Sequence, residues 1–336
     1  MNKNEIIRGF LQSDLMTEWH WFTYHFQFYL YGREHPFAKS IVEAITNIEN
    51  VTPDFAIEMI KRISSLSGKE KFEPHYEQLL QICAELYILN HVVLFFKDQE
   101  IQIEHEPTSK KSDKNPEFIV RIDDIIFGIE VKSPSLLLHM NSRYDNQAQI
   151  STRVPGLLDS TKDLFGENDV TYPRDNPVKD FLISADEKFA GFKEENKDFI
   201  SLLFIIWDDY IYEPISAMLG EPAGLFLDGS FAKDKNGEQI KFSNVDAVLL
   251  DRQLINIIHA TRDEPLHDNK KHAMDYGVKN EFPFKVIIPS PFSNTKIPDP
   301  IMECFQLYNL SPEIGAEYAP SDFIYWQKQV VSTRRS

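Results

Sequence analysis

Residues 116–134, PEFIVRIDDIIFGIEVKSP, decide how the rest of the chain is read. β-Branched and aromatic residues crowd both sides of the polar pair Asp123-Asp124, which predicts two short strands joined by a tight turn. On the second strand side chains alternate faces, so Ile125, Phe127, Ile129 and Val131 point one way and Ile126, Gly128, Glu130 and Lys132 the other. One face is wholly apolar. The other ends in a carboxylate and an ammonium, with Gly128 beside them leaving room for a group to approach. Glu117 opens the first strand, and a hairpin brings its carboxylate toward Glu130. Two acids and a lysine converging at a sheet edge suit a divalent metal that holds a phosphate. Without a cation between them, two such acids repel by about 1 kcal/mol in bulk water and several times that near a protein surface.

The tripeptide acid-any-lysine occurs at Glu130, Asp186, Glu195 and Asp268, but only the first lies on a strand-like apolar run with a proline-acid pair upstream. Pro116-Glu117 followed by Glu130-Val131-Lys132 resembles the motif of the PD-(D/E)XK nuclease superfamily, the restriction-endonuclease-like fold. Glu117 departs from the aspartate more often found there. The resemblance implies an α/β fold with a mixed central sheet flanked by helices, here with an α-helical N-terminal extension. It implies a Mg²⁺- or Mn²⁺-dependent endonuclease that hydrolyses phosphodiester bonds in DNA. By the same resemblance Glu117 and Glu130 ligate the ion, the Val131 carbonyl coordinates it, and Glu85 assists from the helix before the sheet, with Glu77 in reserve. Lys132 positions the attacking water and stabilises developing charge. Two other readings stand beside this one: a non-catalytic binding module of the same fold, and an acidic regulatory or interaction protein.

A chain of 336 residues can bury a full core and has room for one large domain or two small ones. With 42% hydrophobic and 26% charged residues, neither a disordered chain nor a fibre is indicated. The longest apolar run, residues 82–96, is interrupted by Glu85, Asn90 and His91, which argues against a membrane span. The opening MNKNEIIRGF lacks the apolar core of a signal peptide, and Cys83 and Cys304 have no metal-ligand spacing, so a cytoplasmic setting is expected. The 35 basic residues against 52 acidic ones leave a net charge of −17, which repels a duplex at long range. A nuclease of this composition needs a local positive groove, a partner that delivers substrate, or a metal that neutralises the site.

Residues 1–73 read as helical. In TEWHWFTYHFQFYLYG, Trp21, Tyr24, Phe28 and Tyr31 fall at helical spacing, a face for the core, for a protein partner or for a second copy of the chain. His20, His25 and His35 read as structural, since no acid or cysteine falls at a recognised ligand spacing. A second helix runs through FAKSIVEAITNI, and a third starts at Thr52-Pro53-Asp54 with proline in its first turn. Over residues 75–97, Leu79, Leu80, Cys83, Leu86 and Tyr87 form a buried stripe, and Glu77, Gln78, Gln81 and Glu85 a polar one.

A strand over residues 100–105 leads to SKKSDKN, whose Lys110, Lys111 and Lys114 are either solvated or phosphate contacts. Residues 135–177 lack pattern and read as a long loop offering Arg143, Tyr144, Gln147 and Arg153 to substrate. A helix then buries Phe181, Leu182, Ala185, Phe189 and Phe192. Lys188 borders that stripe; solvation is its plainer reading, and the resemblance implies a reach toward the site. SLLFIIW, residues 201–207, suits a doubly covered central strand ending at Asp208 and Asp209. Strands at 245–251 and in FKVIIP, with helices at 252–260 and 300–308, complete the pattern. The expected division is a helical region over 1–73, an α/β domain over 74–294, and a C-terminal helix with a basic tail over 295–336.

Overall fold

The hairpin forms as its alternation requires. In this computed structural model, which describes residues 1–146, 148–150, 153, 163, 169–278 and 285–309, β1 (Ile101–His105), β2 (Phe118–Ile122) and β3 (Ile125–Lys132) make an antiparallel meander. Phe118 lies opposite Ile129 and Ile122 opposite Ile125. Asp123 closes the turn with a φ of 48°, a left-handed conformation that aspartate tolerates far better than a β-branched residue.

Beyond the hairpin, β6 (Ile200–Ile206) runs parallel to β3 and is buried along its whole length. β7 (Ala247–Asp251) pairs parallel with β6, β8 (Lys285–Pro289) antiparallel with β7, and β9 (Leu307–Asn309) parallel with β8. The result is a mixed seven-stranded sheet of order β1-β2-β3-β6-β7-β8-β9. β4 (Ala148–Gln149) and β5 (Val170–Thr171) pair separately. The crossover from β3 to β6 carries α7 (Leu137–Asp145) and α8 (Asp175–Glu195), and α8 packs on both strands it joins. After β6 come α9 (Tyr212–Leu219), α10 (Leu254–Thr261) and α11 (Asp299–Cys304).

Ahead of the sheet lie α1 (Lys3–Leu11), α2 (Asp14–Thr17), α3 (Thr23–Phe26), α4 (Pro36–Glu49), α5 (Phe55–Ser64) and α6 (Glu73–Phe95). Asn2 and Glu5 form a capping box on α1, and His35 caps α4, whose first turn holds Pro36. α6 has the length and apolarity of a bilayer-crossing helix, yet 78% of its most apolar window is buried inside the protein. It packs against α4, α10 and β3, so its apolarity serves the core. Ile6, Phe10, Phe26 and Ile41 belong to the same buried cluster as Leu86, Val131, Leu203 and Leu249. The core therefore has no break at residue 73.

Several expectations change. The aromatic segment is not one helix: α3 gives way to a 3₁₀ turn over Gln27–Tyr31. The expected stripe is not the buried face: Phe22 and Phe26, one helical turn apart, are buried, while Tyr24 and Tyr31 are exposed. Pro53 precedes the N-cap Asp54, whose φ of 70° starts α5 only at Phe55. Part of the expected loop after Pro134 is α7; the side chain of Tyr144, Gln147 as a whole and the basic terminus lie outside the described residues. The expected helix over 300–308 stops at Cys304, and Tyr308 lies in β9.

The room beside Gly128 is already filled. A Cβ there would lie 2.5 Å from Phe199 Cζ and 2.9 Å from Phe189 Cε1, so the glycine admits aromatic rings, one of them from α8, rather than a ligand. Gly128→Ala should cost about 1–3 kcal/mol through overpacking, read as a lower urea midpoint at unchanged slope. Removal of residues 1–70 strips α1, α4 and α5 from the shared core; the truncated chain should aggregate, and a monodisperse, folded product on gel filtration would contradict this.

Candidate active site

Extending the hairpin register one step past Phe118 and Ile129 sets Glu117 opposite Glu130. Glu130 is fully buried on a strand paired on both sides. Its Oε1 accepts from Lys132 Nζ at 2.6 Å and from Lys188 Nζ at 2.7 Å. Its Oε2 is buried with no hydrogen-bond partner among the described residues. Lys188 also reaches Glu117 Oε1 at 3.4 Å. The two acids are therefore not an unpaired, repelling couple, because the Lys188 ammonium lies against both. Lys188 is also no solvated surface lysine: the helical phase of α8 turns it toward β3, one residue before the Phe189 that packs on Gly128.

Glu85 enters from α6 and is buried. Its Oε1 accepts from the Gln81 amide at 3.0 Å and its Oε2 from Arg62 Nη2 at 2.8 Å. Gln81 donates to the Val131 carbonyl at 2.9 Å and accepts from the Ser133 N–H at 2.6 Å, clamping the end of β3 to α6. The Val131 carbonyl thus has a protein donor, leaving one lone pair for anything else. Glu77 lies two turns away on α6, where Arg174 feels its charge.

Burial sets the electrostatics. It pushes Glu130 above the ordinary carboxylate range; Lys132 and Lys188 pull it down and Glu117 pushes it further up. Glu85 rises to about 7, first through burial and then through the Glu117 charge, against the opposing pull of Arg62 and Gln81. Burial works against the charge of Lys188, but Glu130 and Glu117 outweigh it and raise its pKa. Arg62 is raised likewise, Glu85 and Glu117 overcoming burial.

Other expected substrate contacts are engaged elsewhere. Arg143 is buried between Asp208 and Glu213, 2.6 Å from each, with His139 at 3.0 Å from Glu213, a structural ion network under α7. Arg153 pairs with Asp175 at 2.8 Å. Lys110, Lys111 and Lys114 are exposed, and their loop is tied to α8: the Lys110 N–H donates to Glu195 and Lys114 pairs with Glu187. Sequence reading missed Arg62, which no pattern marks, and gave Gln81 no role, although it stands one helical turn before Glu85.

His25 and His35 converge with Asp263 within metal-ligating range, as do Glu58, His105 and Glu106. His35 Nδ1 accepts from the Phe37 N–H, which leaves Nε2 to carry the proton it donates to Asp263 at 2.8 Å. His20 is likewise satisfied, by the Ile63 carbonyl and the Phe22 N–H. No protein-family model matches the chain, and neither a curated protein nor a solved structure matches it.

The raised pKa of Glu85 has a signed consequence. The folded protein holds that proton up to about pH 7 while the unfolded chain releases it near 4.5. Stability from this group is therefore full below pH 4.5 and declines as pH rises toward 7. Glu85→Gln should flatten that decline in urea midpoints measured across the same window.

Proposed function

We propose that the protein is a metal-dependent nuclease of the restriction-endonuclease-like class, hydrolysing phosphodiester bonds in DNA in the cytoplasm. The observation that carries this reading is the meeting of Glu117, Glu130 and Lys132 from one hairpin with Glu85 of the preceding helix and Lys188 of the following one. The element order α6, β1-β2-β3, α8, β6, with β3 and β6 parallel, supports the same class.

The donors fit a hard divalent cation, since they are all oxygens and the buried Oε2 of Glu130 lacks a partner among the described residues. Glu117 and Glu130 would hold Mg²⁺ or Mn²⁺, with the free lone pair of the Val131 carbonyl and Glu85 in support. Bound there, the ion would acidify water and offset charge on the scissile phosphate. Lys132, fixed 2.6 Å from Glu130, orients the attacking water and stabilises negative charge on the phosphoryl oxygens. Lys188, 3.4 Å from Glu117 and 2.7 Å from Glu130, sets a positive charge against both acids and offsets their mutual repulsion. Gln81 holds the strand end so that Lys132 does not drift. The water oxygen bonds to phosphorus as one of its protons passes to solvent, the ester P–O bond breaks, and the leaving oxygen takes a proton from solvent.

One observation favours a second reading, a binding module of the same fold that does not cleave. Glu130 Oε1 already meets two ammonium groups and Glu85 a guanidinium, so protein cations balance these acids. Cleavage assays with Mg²⁺ on single- and double-stranded DNA separate the two.

Glu130→Gln should lose cleavage and weaken Mg²⁺ binding, with stability reduced by about 1–3 kcal/mol as Lys132 and Lys188 lose their anion. Lys132→Ala should keep metal binding, read by thermal shift with Mg²⁺, and lose most turnover. Parent-like cleavage by both variants would put the chemistry elsewhere.

A further inference from the structure

The junction between α5 and α6 displays a surface that the chemistry above does not use. Trp19 and Phe72 are 38% and 51% exposed. Between them lies Trp21, which meets the Trp19 ring edge-on at 5.1 Å, stacks on Tyr76 at 4.5 Å, and donates its indole N–H to the Phe72 carbonyl at 3.1 Å. Paired main-chain bonds between Trp19 and Gly68 fasten the first ring to the junction. The two exposed rings are thus held on ordered backbone.

Cations interleave with them. Residues 61–73, KRISSLSGKEKFE, hold Lys61, Arg62, Lys69 and Lys71 beside Glu70 and Glu73, with Glu18 accepting from Ser67 at 3.1 Å, so this surface is close to neutral in a chain of net charge −17. Lys61, Lys69 and Lys71 are exposed, and Lys71 Nζ lies 4.7 Å over the Trp21 ring. Arg62, the second residue of the run, donates to Glu85 at 2.8 Å, so the segment that carries these lysines begins beside the candidate active site.

Exposed rings beside lysines offer two attachments at once: a π-face for an unpaired base and a positive charge for the adjoining phosphate. A duplex hides its base faces and can use only the lysines. We propose that Trp19 and Phe72, with Lys69 and Lys71, form a stacking platform for single-stranded DNA running toward Glu130; this deepens the nuclease reading and rests on it for the strand's destination. At the 1.5 Å rise per helical residue, Phe72 lies about 14 Å from Gln81 and about 20 Å from Glu85 along α6. That is roughly four to six nucleotides at a 3.4 Å rise.

The test is fluorescence anisotropy without divalent cation, using the full-length protein, a labelled oligothymidine long enough to span platform and site, and a duplex of equal length. Trp19→Ala with Phe72→Ala should weaken single-strand binding roughly 10-fold or more and leave duplex binding unchanged. Lys69→Glu with Lys71→Glu should weaken both and flatten their salt dependence. Indole fluorescence of the wild type should be quenched by the single strand and not by the duplex, a reading that needs no variant. Single-strand affinity unmoved by loss of the rings, an equal loss for both forms, or a dimer in sedimentation that the ring variants dissociate would each overturn the platform. Mg²⁺-dependent hydrolysis of bis(p-nitrophenyl) phosphate, too small to reach the rings, reports on the nuclease reading separately. Inactivity there with ring-dependent single-strand binding would sink the nuclease and leave the platform.

Discussion

A carboxylate removed from water must find cations, and the architecture around β3 follows from how Glu130 finds two. Lys132 comes from the same strand face, two residues on, and Lys188 from the helix that carries the chain to β6. For α8 to bring an ammonium that close, the strand must lack a side chain beneath it, which is what Gly128 provides by receiving Phe189. Desolvating such groups costs several kcal/mol per ion before attraction returns any of it. An apolar residue at position 130 would complete the same sheet without that cost. The expense is physically intelligible if the charges have work to do.

The charge balance of the whole chain and that of the site differ. Net charge is −17, yet the cluster around β3 sets Glu85, Glu117 and Glu130 against Arg62, Lys132 and Lys188. Fields from distant acids are screened within about 10 Å in ordinary salt, so a polyanion near this face meets mainly what is local. Long-range repulsion then limits the rate of encounter more than the strength of the contact.

The hairpin was legible because period two, a polar turn and flanking β-branched residues all agree within one short stretch. Glu85 was legible as the last member of the polar stripe Glu77, Gln78, Gln81 and Glu85 on an otherwise apolar helix. Arg62 was not, because its partner lies 23 positions away and its place is fixed by how α5 meets α6. Lys188 was ambiguous for the same reason: helical phase marks it as bordering a stripe but does not say which strand the stripe covers. Gly128 misled, since a missing Cβ is equally an invitation to a ligand or to a phenyl ring. Arg143 looked available on an unpatterned segment, whereas Asp208 and Glu213, which bury it, come from beyond the next helix and strand.

Because β3 is hydrogen-bonded to β2 on one side and to β6 on the other, its register is held twice. Adding or deleting one residue within it would invert every later side chain, turning Ile129 and Val131 toward α8 and burying the lysine in the apolar layer. The loop from Glu106 to Pro116 joins strands already paired through residues on either side of it. Chains descended from a common ancestor with this protein should therefore vary in length between β1 and β2 while keeping the interval from Glu117 to Lys132 constant, a signature that alignment gaps alone would expose.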